Sequence, residues 1–274
     1  MLKLGHSSWA LQSGSDRSLE KYASGFPDDF SPLKLPDVQG ALVAAQRRFW
    51  ASRKAALLII FQGLDTSGKD GCIRAVCAGM DPMGFQAVGF GVPSSLERAH
   101  DFLWRVQPHL PSVGKVTLMN RSYYEAVLAE RCLTDDKPEP DSHWMARYQS
   151  IRQFEKHLAL NGTATLKFWL HIGRKKQRER LKQRLTDPER HWKFDPSDIH
   201  SWHERARHLG YADEALRQTH TDDAPWHIVP ADDKGLCRRV VCLRVLEALQ
   251  KLAGPYPSGD QAIRQQYLNE LENK

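Results

Sequence analysis

The feature that most constrains this chain is an apolar run that passes directly into a glycine-bounded turn. Residues 55–61 read Ala-Ala-Leu-Leu-Ile-Ile-Phe, and residues 63–71 read Gly-Leu-Asp-Thr-Ser-Gly-Lys-Asp-Gly. The run predicts a buried strand, and a G-x-x-x-x-G-K turn after such a strand wraps backbone N–H groups around phosphate. We therefore predict a phosphate loop at residues 63–71, although a glycine-rich turn without a ligand is the plainer alternative.

Lys69 and the backbone supply the predicted phosphate contacts of this loop. The lysine is a mobile point charge that can lie along phosphate oxygens, and the start of the following helix adds a partial positive charge. The predicted phosphate-binding residues of the loop are Gly63, Thr66, Ser67, Gly68, Lys69, Asp70 and Gly71.

The residue after the lysine departs from the usual pattern. Ser or Thr normally stands there and its hydroxyl holds Mg²⁺, but this chain has Asp70. Asp65 and Asp70 then place two carboxylates beside an anion site, which is unfavourable unless a cation lies between them. We expect Asp65 to hold Mg²⁺ in place of the missing hydroxyl, whereas Asp70 either belongs to the site or caps its helix.

Apolar segments that alternate with helical patterns predict the fold. They indicate an α/β protein in three layers, with a parallel sheet of about five strands, helices on both faces and the ligand at the carboxyl ends of the strands. The predicted strands are 55–61, 87–90, 116–119, 164–170 and 226–229. The predicted helices are 36–54, 69–79, 94–104, 123–132, 142–160, 174–186, 199–218 and 236–252.

Composition along the chain predicts its organisation. We expect an irregular arm at 1–35, one catalytic domain at 36–252 and a polar, frayed extension at 253–274. No apolar stretch approaches the roughly 18 residues that span a bilayer, and the first ten residues lack a signal-peptide core, so we expect a cytoplasmic protein without a membrane partner. The five cysteines form no C-x-x-C pair, which favours buried free thiols.

The basic charge of the chain is concentrated in one segment. The whole chain has a net charge of +6. Residues 174–193 contain nine Lys or Arg against three Asp or Glu, which is the same excess of six. Only Leu181 and Leu185 form an apolar stripe on the predicted helix, so we predict a lid at about 174–200 that closes on a polyanion. A charged face that is merely solvated is the plainer alternative.

A second candidate group follows the third predicted strand. Asn120 can hold a metal-bound water or a phosphate, and Arg121 can bind phosphate through two parallel hydrogen bonds or form a surface ion pair. On the next helix, Glu125 lines an acceptor site or is solvated, and Arg131 points inward with Val127. We predict Asn120, Glu125 and Arg131 as nucleotide-binding residues.

Five blocks of sequence together resemble the polyphosphate kinase 2 family in order and spacing over about residues 40–252. The blocks are Gly63-x-Asp65-x-x-Gly68-Lys69-x-Gly71, Asn120-Arg121-Ser122-Tyr123-Tyr124-Glu125, Gln177-x-x-Arg180-x-x-x-Arg184, His191-Trp192-Lys193-Phe194 and Asp223-Ala224-Pro225-Trp226-x-Ile228-Val229-Pro230-Ala231-Asp232. The resemblance implies a P-loop kinase fold like that of thymidylate kinase, with a helical lid. It also implies Mg²⁺-dependent phosphoryl transfer between inorganic polyphosphate and nucleotides.

The resemblance also assigns roles to individual residues. It implies that Asp65 binds magnesium, that Lys69, Arg74 and Arg121 hold phosphates, and that the lid contributes cations. The implied lid cations are Arg178, Arg180 and Arg184, and the predicted catalytic set is Asp65, Lys69, Arg121 and Arg178. Arg174-Lys175-Lys176 depart from the family, which often has acidic residues there; they indicate tighter polyphosphate binding or an additional surface contact.

The Asn-Arg pair at 120–121, where many members have Asp-Arg, resembles the branch that accepts both nucleoside mono- and diphosphates. The expected reactions are AMP to ADP and ADP to ATP, with GDP and GTP as further candidates and a homodimer or homotetramer as the assembly. An ATP-dependent P-loop kinase for a nucleotide or metabolite is one alternative, although Asp70 argues against it. A basic module that binds nucleic acid is another, but no nucleic-acid motif is present, so we expect no nucleic-acid partner.

Overall fold

The structure is a computed structural model of the chain that describes residues 18–31, 33–133 and 139–272. A sheet of five parallel strands, in the order β2-β3-β1-β4-β5, forms its centre. The strands are β1 (Ala56–Gln62), β2 (Phe85–Gly89), β3 (Val116–Asn120), β4 (Thr163–His171) and β5 (Trp226–Pro230). The predicted α/β fold and its parallel sheet are thereby confirmed.

Helices surround the sheet, and most of them start and end close to their predicted bounds. They are α1 (Leu35–Ser52), α2 (Lys69–Cys77), α3 (Ser95–Arg98), α4 (Ala129–Leu133), α5 (Asp141–Leu160), α6 (Arg174–Thr186), α7 (Ser197–His203), α8 (Arg205–Thr219), α9 (Lys234–Leu252) and α10 (Gln261–Glu272). Short 3-10 turns lie between several of them.

Three predicted helices are each divided into shorter segments in the structure. The predicted helix 94–104 ends after α3, because the Asp101 carboxylate accepts from the backbone N–H of Leu103 and starts a new turn. The predicted helix 123–132 is a 3-10 turn at Tyr123–Ala126 followed by α4. The predicted helix 199–218 divides at Glu204 into α7 and α8.

Alternation along β1 divides the core into two apolar layers. Leu57, Ile59 and Phe61 face the layer formed with α1, α2 and α9. Leu58 and Ile60 face the opposite layer, formed with α5 and α8. The central strand is therefore buried on both faces, as its continuous apolar sequence requires.

Both ends of the described chain add structure to the predicted arm and extension. Leu19 is buried in the core, and its backbone N–H donates to Asp213 at 2.7 Å, so the arm packs on the domain from this point. Residues 1–17 and 32, also assigned to the arm, lie outside the described residues. The polar extension is not simply frayed, because it contains α10, a helix whose residues are all exposed.

A buried ion pair joins α5 to the sheet. Lys167 of β4 and Glu155 of α5 are fully buried, and their Nζ and Oε2 atoms are 2.7 Å apart. The lysine also donates to the Tyr124 hydroxyl at 2.9 Å and to the carbonyl of Thr219 at 2.8 Å, which uses all three of its hydrogens. The Tyr123 and Tyr124 hydroxyls donate to the other Glu155 oxygen at 2.8 Å.

We expect Lys167→Met to lower the free energy of unfolding by about 3–5 kcal/mol, because it leaves the Glu155 carboxylate buried without its cation. The measurement is urea unfolding followed by circular dichroism. The double variant Lys167→Met, Glu155→Gln has no buried charge and keeps an acceptor for the two tyrosines, so its loss should be clearly smaller. Equal losses in the two variants would contradict the assignment of the cost to an unpaired carboxylate.

Candidate active site

The phosphate loop connects β1 to α2 through backbone conformations that few residues adopt. Gly63 has φ 149° and Gly68 has φ 108°, and Thr66 is also left-handed at φ 64°. A Cβ on Gly63 would lie 2.7 Å from the backbone carbonyl oxygen of Leu170, so only glycine fits between β1 and β4 at this point. The loop therefore has its tight form because both glycines stand where the predicted pattern placed them.

Lys69 is the first residue of α2 and its ammonium lies inside the loop. Its Nζ donates to the carbonyls of Gly63 at 2.7 Å and Leu64 at 3.3 Å. Burial lowers the pKa of this lysine, and Asp65 is the main group that opposes the change. An ammonium has three hydrogens, so one remains to bind an anion in the cleft that Lys69 lines.

Two hydroxyl groups in the loop are buried without a hydrogen-bond partner among the described residues. They are Thr66 Oγ1 and Ser67 Oγ. Buried hydroxyls are normally paired, and exceptions in a native protein indicate strain, an ion or a functional role. Both residues line the same cleft as Lys69, so they are available to donate to an anion there.

Arg121 stands at the end of β3 and pairs with Asp65 across the site. Its Nη2 lies 3.2 Å from Asp65 Oδ1, and its backbone is left-handed with φ 63°, a strained conformation for arginine. Burial by itself would lower the pKa of Arg121, but Glu125 and Asp65 outweigh it and raise the pKa. Burial raises the pKa of Glu125 against the opposing charges of Arg121 and Lys69.

Asp70 receives two hydrogen bonds and does not cap α2. Asn120 Nδ2 donates to one carboxylate oxygen at 2.8 Å, and Lys193 Nζ donates to the other at 2.7 Å. Burial would raise the pKa of Asp70, but these two bonds lower it overall. Because Lys193 belongs to the predicted lid, Asp70 connects the lid to α2 and to the end of β3.

Arg180 of α6 is bound to backbone carbonyls. Its Nη1 donates to Thr66 at 2.9 Å and Ser67 at 3.3 Å, and its Nη2 donates to Ala231 at 2.8 Å and Asp232 at 2.9 Å. These bonds use all four terminal N–H groups of the guanidinium, so only Nε–H remains for any other acceptor. The residue was predicted to bind phosphate, and the structure places it as a tether between α6, the phosphate loop and the turn after β5.

A second pair of side chains supports the same tether. Gln177 donates to the carbonyl of Asp65 at 3.3 Å, and Arg205 donates to the Gln177 side-chain oxygen at 2.6 Å. Arg205 also donates to the carbonyl of Ile172 at 2.8 Å, so it holds the end of β4 as well. The base of the lid is thus fixed to the phosphate loop by buried polar contacts.

The remaining predicted site residues do not all converge. Arg184 lines the cleft and pairs with Asp198 at 2.8 Å. Arg178 is exposed and does not line the cleft. Arg131 lies elsewhere, where it donates to Tyr148 and pairs with Glu214 at 2.9 Å. Glu125 is adjacent to Arg121 without lining the cleft itself.

The cleft is an open cavity of about 880 Å³ at the carboxyl ends of the strands. The phosphate loop, the Asn120–Arg121 pair, the lid and the start of α9 form its walls. Among the lining residues that were not predicted as part of the site are Phe90, Trp192, Lys193, Asp195, Asp198, Lys234 and Arg238. Trp192 and Lys193 occur in one of the quoted sequence blocks, so the sequence did contain a signal for them. Lys234 and Arg238 belong to α9, and no motif in the sequence marks them as site residues.

The carboxylates of this cleft suit Mg²⁺ held partly by phosphate. No group of three or more His, Cys, Asp or Glu side chains that could hold a metal occurs in the described residues. Mg²⁺ is commonly bound through one or two carboxylates and the substrate phosphates, with water completing its coordination. Asp65 lines the cleft and uses only one carboxylate oxygen for Arg121, which fits this kind of site.

A phosphate loop, a second cationic strand end and a cationic lid around one cleft define a phosphotransferase of the P-loop class. The sequence profile that matches this chain, over residues 28–255, is described as "Polyphosphate kinase 2". The chain belongs to this family and is a polyphosphate kinase, as the sequence blocks predicted. Within the described residues, no helix is both long and apolar enough to cross a membrane.

Named relatives and a solved structure agree with this assignment. The chain is 39% identical over 232 residues to the "ADP-polyphosphate phosphotransferase" of Rhodopseudomonas palustris, covering 81% of this chain and 80% of the relative. It is 39% identical over 245 residues to the "AMP/ADP-polyphosphate phosphotransferase" of Meiothermus ruber, covering 86% and 91%. The crystal structure of polyphosphate kinase 2 from Arthrobacter aurescens superimposes with a TM-score of 0.87 at 31% identity, covering 96% of each chain.

Proposed function

We propose that this polyphosphate kinase transfers the terminal phosphoryl group of polyphosphate to both AMP and ADP, with Mg²⁺ in the site. The observation that carries the proposal is the arrangement of the phosphate loop and the Asn120–Arg121 pair on two walls of one cleft. The Asn-Arg sequence of this pair resembles that of the family branch that accepts both nucleoside mono- and diphosphates. The Meiothermus ruber relative, which is named for both acceptors, supports the same choice.

The chemistry requires positioning and charge neutralisation more than a base. A terminal phosphate oxygen of AMP or ADP attacks the terminal phosphorus of the chain, and the bond from that phosphorus to the bridging oxygen breaks. The shortened polyphosphate leaves as an anion. The attacking oxygen is already ionised at neutral pH, so the uncharged Asn120 is sufficient at its position.

Side chains of the cleft divide this work. Lys69, Arg121 and the loop N–H groups would hold the transferring phosphate and its neighbours while charge develops on their oxygens. Asp65, with the phosphates, would hold Mg²⁺, which supplies additional neutralisation of that charge when bound. Trp192 is 77% exposed at the wall of the cleft. The Lys193 ammonium lies 4.8 Å from its ring centroid, and the exposed part of the ring would stack on a nucleobase.

The test is a product assay with purified protein, Mg²⁺ and polyphosphate, with AMP and ADP offered in separate reactions and nucleotides resolved by anion exchange. We expect ADP from AMP and ATP from ADP, and loss of both products when EDTA removes the metal. A parallel reaction contains ATP and AMP without polyphosphate. Product in that reaction together with none from polyphosphate would favour an ATP-dependent kinase and overturn the proposal.

The proposal also covers guanine nucleotides as acceptors, the assembly of several copies of the chain and its location in the cell. Guanine nucleotides are proposed as additional acceptors, and the same assay with GDP tests them. A homo-oligomer is supported by apolar side chains exposed on α10, among them Ile263 and Leu271. A cytoplasmic location is supported by five cysteines that are all free.

A further inference from the structure

Four of the five cysteines lie on the two helices that pack beside the phosphate loop. Cys72 and Cys77 belong to α2, and Cys237 and Cys242 belong to α9. All five are free thiols, and these four contribute to the apolar layer between the two helices. The transfer reaction uses none of them, so they are candidates for a separate thiol chemistry beside the site.

One pair within this group is in direct contact. The sulfur atoms of Cys72 and Cys237 are 3.7 Å apart, within reach of a weak S–H hydrogen bond. A disulfide bond is about 2.05 Å long, so a small approach of the two atoms is enough to form one. Both side chains line the open cleft, together with the cations Arg74 and Arg238 of the same helices. A small oxidant that enters the cleft therefore meets this pair at its wall.

The surroundings of the pair give its two sulfur atoms different roles. The hydrogen bond with Cys72 is the largest cause that raises the pKa of Cys237, and burial raises it further. Cys237 is therefore a thiol at neutral pH and can donate its hydrogen to Cys72. The positive charges of Arg180 and Arg238 oppose the rise, because they favour a thiolate at this place. Since the thiolate is the nucleophile, Cys72 is the attacking sulfur and Cys237 the second partner.

Cys72 is connected to the phosphate loop through the first turn of α2. Its backbone N–H donates to the carbonyl of Gly68 at 3.0 Å, and Lys69 begins the same helix. The Arg238 guanidinium lies against this turn, where its Nη2 is 2.9 Å from the point that a Cβ on Gly71 would occupy. A covalent bond that draws Cys72 towards α9 therefore shifts the turn that carries the phosphate contacts of Lys69.

We propose that Cys72 and Cys237 form an oxidation site for hydrogen peroxide, and that the resulting disulfide lowers phosphoryl transfer. The Cys72 thiolate attacks one peroxide oxygen, the O–O bond breaks, hydroxide leaves and Cys72 becomes a sulfenic acid. The Cys237 sulfur then attacks the sulfenic sulfur, an S–S bond forms, and the hydroxyl leaves as water with the proton of Cys237. The two sulfur atoms lose two electrons in total, and the peroxide gains them.

The effect on turnover rests on the polyphosphate kinase activity assigned above, whereas formation of the disulfide does not. A misplacement of about 1 Å near reacting groups can cost about 10²-fold in rate. The disulfide moves the phosphate loop only through α2, so we expect kcat/KM for polyphosphate to fall about tenfold on oxidation and to return on reduction. Polyphosphate bound in the cleft covers its wall and should slow the oxidation.

The experiment uses the full chain with Cys132→Ser as the parent protein, which removes the partly exposed thiol beside His208. The parent is treated with hydrogen peroxide, catalase removes the excess, and disulfides are mapped by mass spectrometry of its peptides. We expect a peptide pair joined through Cys72 and Cys237, and an about tenfold loss of kcat/KM that dithiothreitol reverses. In the parent with Cys237→Ala, dimedone should label Cys72 as a sulfenic acid.

Two further variants separate this pair from the other thiols. Cys72→Ala in the parent removes the attacking sulfur, so it should form no joined peptides and keep its own untreated kcat/KM after peroxide. The matched control is Cys77→Ala, Cys242→Ala, which removes the other two thiols of the same helices. Burial raises the pKa of Cys77 to about 11 and also raises that of Cys242, so neither should react. The control should form the disulfide and lose kcat/KM as the parent does.

The outcomes separate this proposal from the assignment of the activity. Absence of the joined peptides in the treated parent overturns the oxidation site. A disulfide without loss of kcat/KM, or an equal loss in Cys72→Ala, overturns its effect on transfer but leaves the activity intact. A loss that dithiothreitol does not reverse assigns the effect to further oxidation of sulfur and also overturns the proposal. A reduced parent that transfers nothing from polyphosphate overturns the activity itself.

Discussion

Replacing Lys69 with alanine should lower kcat with polyphosphate about 10²–10³-fold, because it removes a charged donor from the phosphates at which charge develops. The ammonium lies within the loop, where it is held by the carbonyls of Gly63 and Leu64 and still has one hydrogen available. The measurement is steady-state turnover with polyphosphate and ADP. Because the side chain also holds two loop carbonyls, the unfolding midpoint is measured in parallel.

The matched control for this variant is Lys182→Ala, which removes an exposed lysine of α6 that does not line the cleft. Its turnover should stay within twofold of the wild type. A Lys69→Ala enzyme with normal turnover would show that the phosphate loop does not hold the reacting phosphates. A loss of turnover that is accompanied by a matching fall in the unfolding midpoint would assign the effect to reduced stability of the fold.

Replacing Arg180 with methionine should reduce both stability and turnover, since four carbonyls lose their common donor. Two of these carbonyls, of Thr66 and Ser67, belong to the phosphate loop itself. We expect a loss of about 3 kcal/mol in the free energy of unfolding, the order of magnitude for buried polar groups left without a partner. Urea unfolding gives the stability, and kcat with KM for polyphosphate gives the effect on the site.

Arg180→Lys distinguishes a tether from a phosphate ligand. Lysine keeps the positive charge, but its single ammonium cannot reach both the carbonyls bound by Nη1 and those bound by Nη2. If Arg180 is a tether, Arg180→Lys should recover less than half of the stability that Arg180→Met loses. If Arg180 is only a cation for phosphate, Arg180→Lys should recover almost the whole wild-type KM for polyphosphate. Lys175→Met, on the exposed side of the same helix, is the control for net charge and should leave stability unchanged.

Local sequence signals predicted the sheet and the phosphate loop because both depend on short segments. The β1 run is buried on both faces and reads as continuous apolar sequence, and the loop needs Gly63 and Gly68 at its left-handed positions. Helix breaks were harder to predict. Asp101 ends one predicted helix through a bond to a backbone N–H two residues later, which competes with helical bonding without changing the apolar pattern.

The roles of cations within the site could not be read from the sequence, because they depend on which acceptor each side chain reaches. Arg178 and Arg180 are two residues apart on one basic helix, yet Arg180 is buried against four carbonyls and Arg178 is exposed. Likewise, the sequence allowed Asp70 to cap its helix or join the site. Only the fold brings Asn120 and Lys193 to its two oxygens.

Asp232, the second residue after β5, connects the segment around Ser24 to α6 and, through Arg180, to the phosphate loop. Its carboxylate accepts from the Ser24 hydroxyl at 2.7 Å and from the Gly173 backbone at 2.8 Å, and its carbonyl accepts from Arg180 at 2.9 Å. The segment around Ser24 is therefore connected through Asp232 and Arg180 to the backbone carbonyls of Thr66 and Ser67. Substitutions in the segment around Ser24 are therefore expected to affect how firmly Arg180 holds the two loop carbonyls.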